Sequence, residues 1–173
     1  MGRLDVYTKG LDLLLSSFRE FHKLEPHSKL WIIGDGPEKV VLEFLAQEYH
    51  IEKSVIFWGS KYGTEKNELL QKMDVFAHPS RNEGLPSSIL EASNLGIPCV
   101  VSKATNVAEY ITDSDAGIAV ADENTTALTA AFSVLSKLKS THQISKLGQN
   151  AKHMVHTFFN WNHIVKKFDL LYQ

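Results

Sequence analysis

Short, continuous apolar runs alternate along this chain with longer stretches in which apolar residues recur every three or four positions. The short runs cover residues 30–33, 55–57, 75–77, 99–101 and 117–120. None alternates polar with apolar, as expected of strands covered on both faces of a parallel sheet. In the first long stretch Leu11, Leu14, Leu15, Phe18 and Phe21 fall on one helical face, and Pro26 closes the segment. Val40, Val41, Phe44, Leu45 and Glu48 carry the next helix, and shorter helices are predicted over 65–73, 86–95 and 106–111. Pro86 stands at a helix's first position, where its missing N–H costs nothing. After Asn124 the pattern is wholly helical, over 126–138, 144–158 and 161–172. The alternation predicts an α/β fold: a Rossmann-like, doubly wound, mainly parallel sheet with helices on both faces and a helical C-terminal segment. Such sheets bind ligands beyond the carboxyl ends of their strands.

A length of 173 residues suggests one domain, residues 1–173, able to bury a core without disulfides or metals. The hydrophobic share of 43% and charged share of 22% are those of an ordinary globular chain. A net charge of −2 carries no bulk attraction for nucleic acid, so none is expected as a partner. The single cysteine, Cys99, lies in the run Ile97-Pro98-Cys99-Val100-Val101 and reads as a buried small hydrophobe with no disulfide partner in the chain. A reducing, cytoplasmic setting fits that usage. No apolar stretch approaches the ~18 residues that span a bilayer, and the sequence opens without a signal-peptide pattern.

The densest chemistry lies between Asp74 and Ala92. A strand feeds a polar loop that holds Glu83, and a helix then opens at Pro86 and holds Glu91. The N–H groups of Leu85, Ser87 and Ser88 are available to an anion at that helix N-terminus, and Gly84 permits close approach or a positive φ. With about 1.5 Å of rise per residue, Glu91 stands about 7 to 8 Å along the axis from Pro86. The two carboxylates therefore suit different parts of one long ligand bearing both phosphates and hydroxyls, such as a nucleotide-sugar. The plainer alternative is that Glu83 favours the helix dipole and Glu91 is a solvated charge.

Arg3 and Lys9 flank residues 4–8. Together they make a clamp for a diphosphate that works without a metal; on spacing alone they are two surface charges. Gly34-Asp35-Gly36-Pro37 lacks the third glycine of a dinucleotide fingerprint, so a tight strand-to-helix turn is expected there. The turn at Gly59 and Ser60 is a place for a flat base, or only a turn. His153 and His156 lack a third ligand nearby, so no metal site is expected. His78 is the only histidine in the candidate loop.

The ordered set Gly2-Arg3-Leu4 with Lys9-Gly10, Ile33-Gly34-Asp35-Gly36-Pro37, Val55-Ile56-Phe57-Trp58-Gly59, Pro79-Ser80 through Glu91-Ala92, and Gly96-Ile97-Pro98-Cys99-Val100 resembles the group-one, retaining glycosyltransferases of the GT-B fold. The likeness extends to Phe159-Asn160-Trp161, and the Glu-x7-Glu element, Glu83 and Glu91, is that family's signature. The resemblance implies a donor-binding domain, one half of a GT-B fold. Glu91 would bind the ribose hydroxyls and Glu83 the donor sugar. Backbone groups from Gly84 through Leu85, Pro86, Ser87 and Ser88 would hold sugar and phosphate oxygens. Arg3 and Lys9 would stabilise the leaving diphosphate, and Gly59 and Ser60 would lie against the base. It implies a UDP-, GDP- or similar nucleotide-sugar as donor, no other cofactor and no bound metal. It also implies a sugar, lipid-linked or polysaccharide acceptor, held by an N-terminal acceptor domain through which the protein would reach the cytoplasmic membrane face.

The chain resembles only the second domain of that family. The acceptor domain and most of the strand that would lead into Gly2 are expected to be absent, as in a truncated gene product, a cloned domain or a sequence fragment. Alone, the chain is expected to bind donor and to transfer poorly. Rival readings are a non-catalytic binding or regulatory subunit that pairs with an acceptor-domain chain, a GT-B-type sugar-nucleotide epimerase, and a relic that keeps only the fold.

Overall fold

The computed structural model describes residues 1–160 and Val165. Twelve elements follow one another: α1 (Leu11–Leu24), β1 (Leu30–Ile33), α2 (Lys39–Glu48), β2 (Val55–Gly59), α3 (Gly63–Leu70), β3 (Phe76–His78), α4 (Ser87–Asn94), β4 (Cys99–Ser102), α5 (Ala108–Asp113), β5 (Gly117–Val120), α6 (Thr125–Ser140) and α7 (Ile144–Phe158). All five predicted strands and seven of the eight predicted helices are present; the helix expected over 161–172 lies outside the described residues, except for Val165, which is helical. Three boundaries move in ways that matter. β3 starts one residue late and ends on His78, because Phe76 is the residue whose N–H bonds across to Pro98. Helix α3 starts at Gly63, whose φ of 52° few other residues adopt. Pro86 is not the first helical residue but the N-cap of α4, with an extended backbone (φ −72°, ψ 111°).

All strand pairs are parallel, yet the strands form two sheets rather than the single expected one. β1 pairs with β2, with Leu30 opposite Val55, and β3, β4 and β5 pair in that order, with Phe76 opposite Cys99 and Cys99 opposite Gly117. Central β4 shows why helices cover both faces. Successive side chains point to opposite sides of a strand. Cys99 and Val101 pack with Ile89 and Ala92 of α4, Val107, Ile111 of α5 and Ala151 and Met154 of α7. Val100, between them, packs with Leu128 and Leu135 of α6 and with Leu147. A separate cluster of Leu15, Phe18, Ile32, Leu42, Ala46 and Val55 holds α1 and α2 on the β1–β2 pair.

Between β1 and β3 lies an open slot of about 550 Å³, lined on either side by Leu30–Ile33 and by residues 74–79, and capped by Phe18 and Phe21 of α1 and Phe132 and Leu135 of α6. Hydrogen bonding along a parallel strand alternates between its two edges. Leu30 bonds towards β2 and Phe76 towards β4, so Trp31 and Ala77 present their backbone groups to the slot. Gly2 already sits at its carboxyl end, donating to Ile33 O at 2.9 Å, and Leu4 donates to Asp35 O at 2.9 Å. That approach is why Gly34 is glycine: its φ is 142°, and a Cβ there would stand 1.7 Å from Gly2 O. The Gly34-Asp35-Gly36 turn thus seats residues 2–4, as a tight turn rather than a dinucleotide loop.

Helices and loops join the two halves. Ser17 Oγ donates to Thr125 O at 3.1 Å, and the Phe21 and Phe132 rings are 5.7 Å apart. Gly10 (φ 62°) lies against β3's end, where a Cβ would meet Pro79 O at 2.0 Å. Arg81 grips Asp12 with both terminal nitrogens (2.9 and 2.8 Å), bonds Glu123 at 2.9 Å and Tyr7 O at 2.7 Å, and lies over the Tyr7 ring.

Candidate functional site

The loop after β3 folds back because its backbone is tied to the segment after β4. Glu83 N–H reaches Ala104 O, Asn106 N–H donates to Gly84 O at 3.1 Å, and the Ser102 hydroxyl donates to Ser80 O. This anchoring places Glu83 immediately ahead of α4. No side chain caps α4, so its first N–H groups face outward at the positive end of the helix dipole. Ser87 and Leu85 are exposed and Ser88 is half-buried; Pro86 is buried. Gly84 does not adopt the positive φ allowed for in the sequence; its site is open, with nothing within 4 Å of where a Cβ would stand, so its use is close approach.

Glu83 has three hydrogen-bonding partners in the site. Lys9 Nζ pairs with its Oε1 at 2.6 Å, while His78 Nε2 at 2.7 Å and Ser80 Oγ at 3.0 Å meet its Oε2. Partial burial pushes the Glu83 carboxyl pKa up, but hydrogen bonds from Lys9, His78 and Ser80 outweigh it and hold the pKa at about 2. Glu83 is therefore ionised at neutral pH and has Oε1 turned away from the histidine. Burial lowers the His78 pKa against the pull of Glu83, which leaves a neutral ring. The α-amino group of Met1 feels the same surroundings. Burial and then Lys9 lower its pKa to about 6, while Glu83 and Glu91 act in the opposite sense.

Glu91 stands farther along α4, at an intermediate exposure. Lys66 of α3 pairs with its buried Oε2 at 2.7 Å. Arg3 is 76% exposed and only loosely paired with Asp5 at 3.6 Å. Gly59 (φ 67°) closes β2, accepts from Gly34 N–H at 2.8 Å and is open on its side-chain face; Ser60 is exposed beside it. Lys9 and Glu83 are thus joined directly, whereas Arg3 touches neither. Sequence spacing pointed to Glu83 and Glu91, whereas Lys9 gained weight, with Arg3, only through the family resemblance. It gave no sign of Lys66, and it gave His78 little weight and Ser80 no role because what they do depends on how the loop folds. Among the described residues no group of His, Cys, Asp and Glu is arranged to hold a metal ion, and no helix is long and apolar enough to cross a membrane.

The model of the family described as "Glycosyl transferases group 1" matches residues 1–154. A curated relative, N-acetyl-alpha-D-glucosaminyl L-malate synthase of Bacillus anthracis, is 29% identical over 148 residues, which are 86% of this chain and 38% of that protein. The chain thus spans well under half of that relative's length. TarM of Staphylococcus aureus, solved as a variant in complex with fondaparinux, alpha-GlcNAc-glycerol and UDP, superposes with a TM-score of 0.84 at 22% identity, covering 99% of this chain and 35% of that one. The C-terminal domain of a glycosyl transferase group 1 family protein, LpcC of Francisella tularensis, gives a TM-score of 0.78 at 23% identity, covering 93% of this chain and 84% of that one. These likenesses show the fold expected from the sequence, one half of a GT-B architecture.

The chain belongs to the group 1 glycosyltransferases.

Proposed function

We propose that, within that family, this chain is the donor-binding domain of a retaining sugar transfer, taking a UDP-, GDP- or similar nucleotide-sugar across the open N-terminus of α4. The observation that carries the reading is the pair of carboxylates there. Glu83 is held ionised by three partners ahead of an uncapped helix, and Glu91, whose Oε2 is paired with Lys66 at 2.7 Å, stands farther along the same helix. Glu91 accepts from the ribose hydroxyls, and Glu83 accepts from hydroxyls of the donor sugar through Oε1. The N–H groups of Gly84, Leu85, Ser87 and Ser88 hold sugar and phosphate oxygens, with Pro86 fixing the loop's entry into the helix. Gly59 and Ser60 lie against the base.

In the reaction the bond from the anomeric carbon to the diphosphate oxygen breaks, the diphosphate leaves with the bonding pair, and an acceptor hydroxyl bonds through its oxygen to that carbon on the same face as its proton passes to the departing diphosphate. The charge that grows on the diphosphate is met by Lys9, drawn from its ion pair with Glu83, and by the exposed guanidinium of Arg3, loosely paired with Asp5. These are electrostatic roles that need no bound metal. An acceptor domain and a sugar, lipid-linked or polysaccharide acceptor complete the reaction, so the 173-residue chain by itself binds donor without appreciable turnover. Calorimetry tests this: UDP or GDP should bind equally well with and without a chelator. Strict dependence on a divalent cation would refute the clamp, and binding of no nucleoside diphosphate would refute the donor site.

A further inference from the structure

We propose that His78 and Ser80 are positioning residues for the donor sugar: they fix Glu83 so that only its Oε1 edge faces the ligand. The inference rests on the donor-site reading and goes beyond it. His78 ends β3 with its side chain only 5% exposed, and its ring lies nearly parallel to that of Phe76, at an interplanar angle of 16°. Ser80 is wholly buried. Its hydroxyl lies 3.0 Å from His78 Nε2 and 3.0 Å from Glu83 Oε2, and His78 Nε2 is 2.7 Å from the same Oε2.

The donors and acceptors around Oε2 leave one consistent arrangement. An ionised carboxylate only accepts. Both the Nε2–H of a neutral imidazole and the Ser80 O–H can donate to Oε2, which uses that oxygen's two acceptor directions. The ring must then carry its proton on Nε2. Oε1 receives one bond, from Lys9, and keeps one direction for a hydroxyl. Without the histidine and serine, the Glu83 side chain has only the Lys9 contact to hold it, and Lys9 is the group the diphosphate competes for. The charged groups facing His78 are Glu83, Lys9 and the Met1 amine. Protonating the ring draws the Glu83 charge towards Oε2 and weakens Oε1 as an acceptor, so affinity for the sugar falls in acid.

The test compares His78→Phe, His78→Gln and Ser80→Ala, using UDP, GDP, UDP-N-acetylglucosamine, UDP-glucose and GDP-mannose as ligands. In His78→Phe the best-bound nucleotide-sugar should lose about tenfold in affinity, as for one charge-assisted hydrogen bond, while its nucleoside diphosphate binds unchanged. His78→Gln, which keeps an N–H donor, should restore most of the loss and abolish the acid dependence below the ordinary histidine range. Ser80→Ala should fall between them. A readout independent of ligands is the Glu83 carboxyl titration by NMR, which should move up from about 2 in His78→Phe. If folded His78→Phe keeps the full preference for the nucleotide-sugar, or if the Glu83 titration does not move, the positioning role is wrong. If the parent chain binds no nucleoside diphosphate while the titration moves as expected, the donor-site reading fails and the network stands.

Discussion

In the proposed donor site Glu83 and Glu91 divide the ligand between them, and that division is open to measurement. Glu91→Ala should weaken free nucleotide and nucleotide-sugar alike. Glu83→Ala should spare the nucleotide and weaken only the nucleotide-sugar, by about 1.5–3 kcal/mol for a hydrogen bond to a charged group. Calorimetry with matched ligand pairs reads this, and equal losses for both ligands in both variants would contradict it. The Glu83 carboxyl also has a pH signature. Its folded pKa of about 2 is depressed from an ordinary 4.5, so between these values the unfolded chain binds more protons than the folded one. The stability it contributes is fully present above about 4.5 and is lost as pH falls through about 2. Denaturant melts from pH 6 to pH 2.5 should show the gap between the parent chain and Glu83→Gln narrowing within that window. Both glutamates were legible because their spacing is local, Glu83 in the loop just ahead of α4 and Glu91 within it. Lys66 was not, since nothing in the sequence places α3 beside Glu91, and neither was the His78–Ser80–Glu83 network, which forms only once residues 83–84 are tied to residues 104–106.

Among the elements, periodicity located nearly every strand and helix, and the errors have physical causes. Proline suits a helix's first position, but Pro86 sits one residue earlier, extended, because the loop must bring Glu83 across before the helix begins. Glycines at close approaches could not be assigned from the sequence, because the partner backbone is remote. Gly148 in α7 is one: a Cβ there would stand 2.1 Å from Gly96 O, just past the end of α4. Alanine would favour an isolated helix by ~1 kcal/mol, yet here it must push α7 away from α4. Gly148→Ala should therefore destabilise the domain by a net ~1–3 kcal/mol, as overpacking does, measured as a lower denaturation midpoint with unchanged slope. A stabilised variant would show that α7 is free to move.

At the scale of the whole molecule, the sequence indicated an α/β sandwich of parallel strands but not a sheet divided in two. That division depends on what lies between β1 and β3, which no local pattern of either strand reports. Trp31 and Ala77 turn backbone groups towards the slot, and unpaired edges of this kind favour pairing with further chains. Five apolar residues joined ahead of Met1 should enter as a parallel strand and leave by way of Gly2, raising the melting temperature by several degrees and reducing aggregation. An unchanged melting temperature would mean that the slot does not accept a strand. The division has a further consequence for how the fold comes apart. No β-ladder bond links β1–β2 to β3–β4–β5 among the described residues. The halves are joined by the α1–α6 seam, the Arg81 clasp and the Lys9–Glu83 pair. Hydrogen exchange should therefore find the amide protons of β1 and β2 in a separate cooperative unit, which opens by parting that seam while the three-stranded half stays closed. Because Lys9 holds Glu83 across that joint, a diphosphate that draws Lys9 away, as proposed, would also remove one of its fastenings, so occupancy of the site and protection of the distant strands should be coupled.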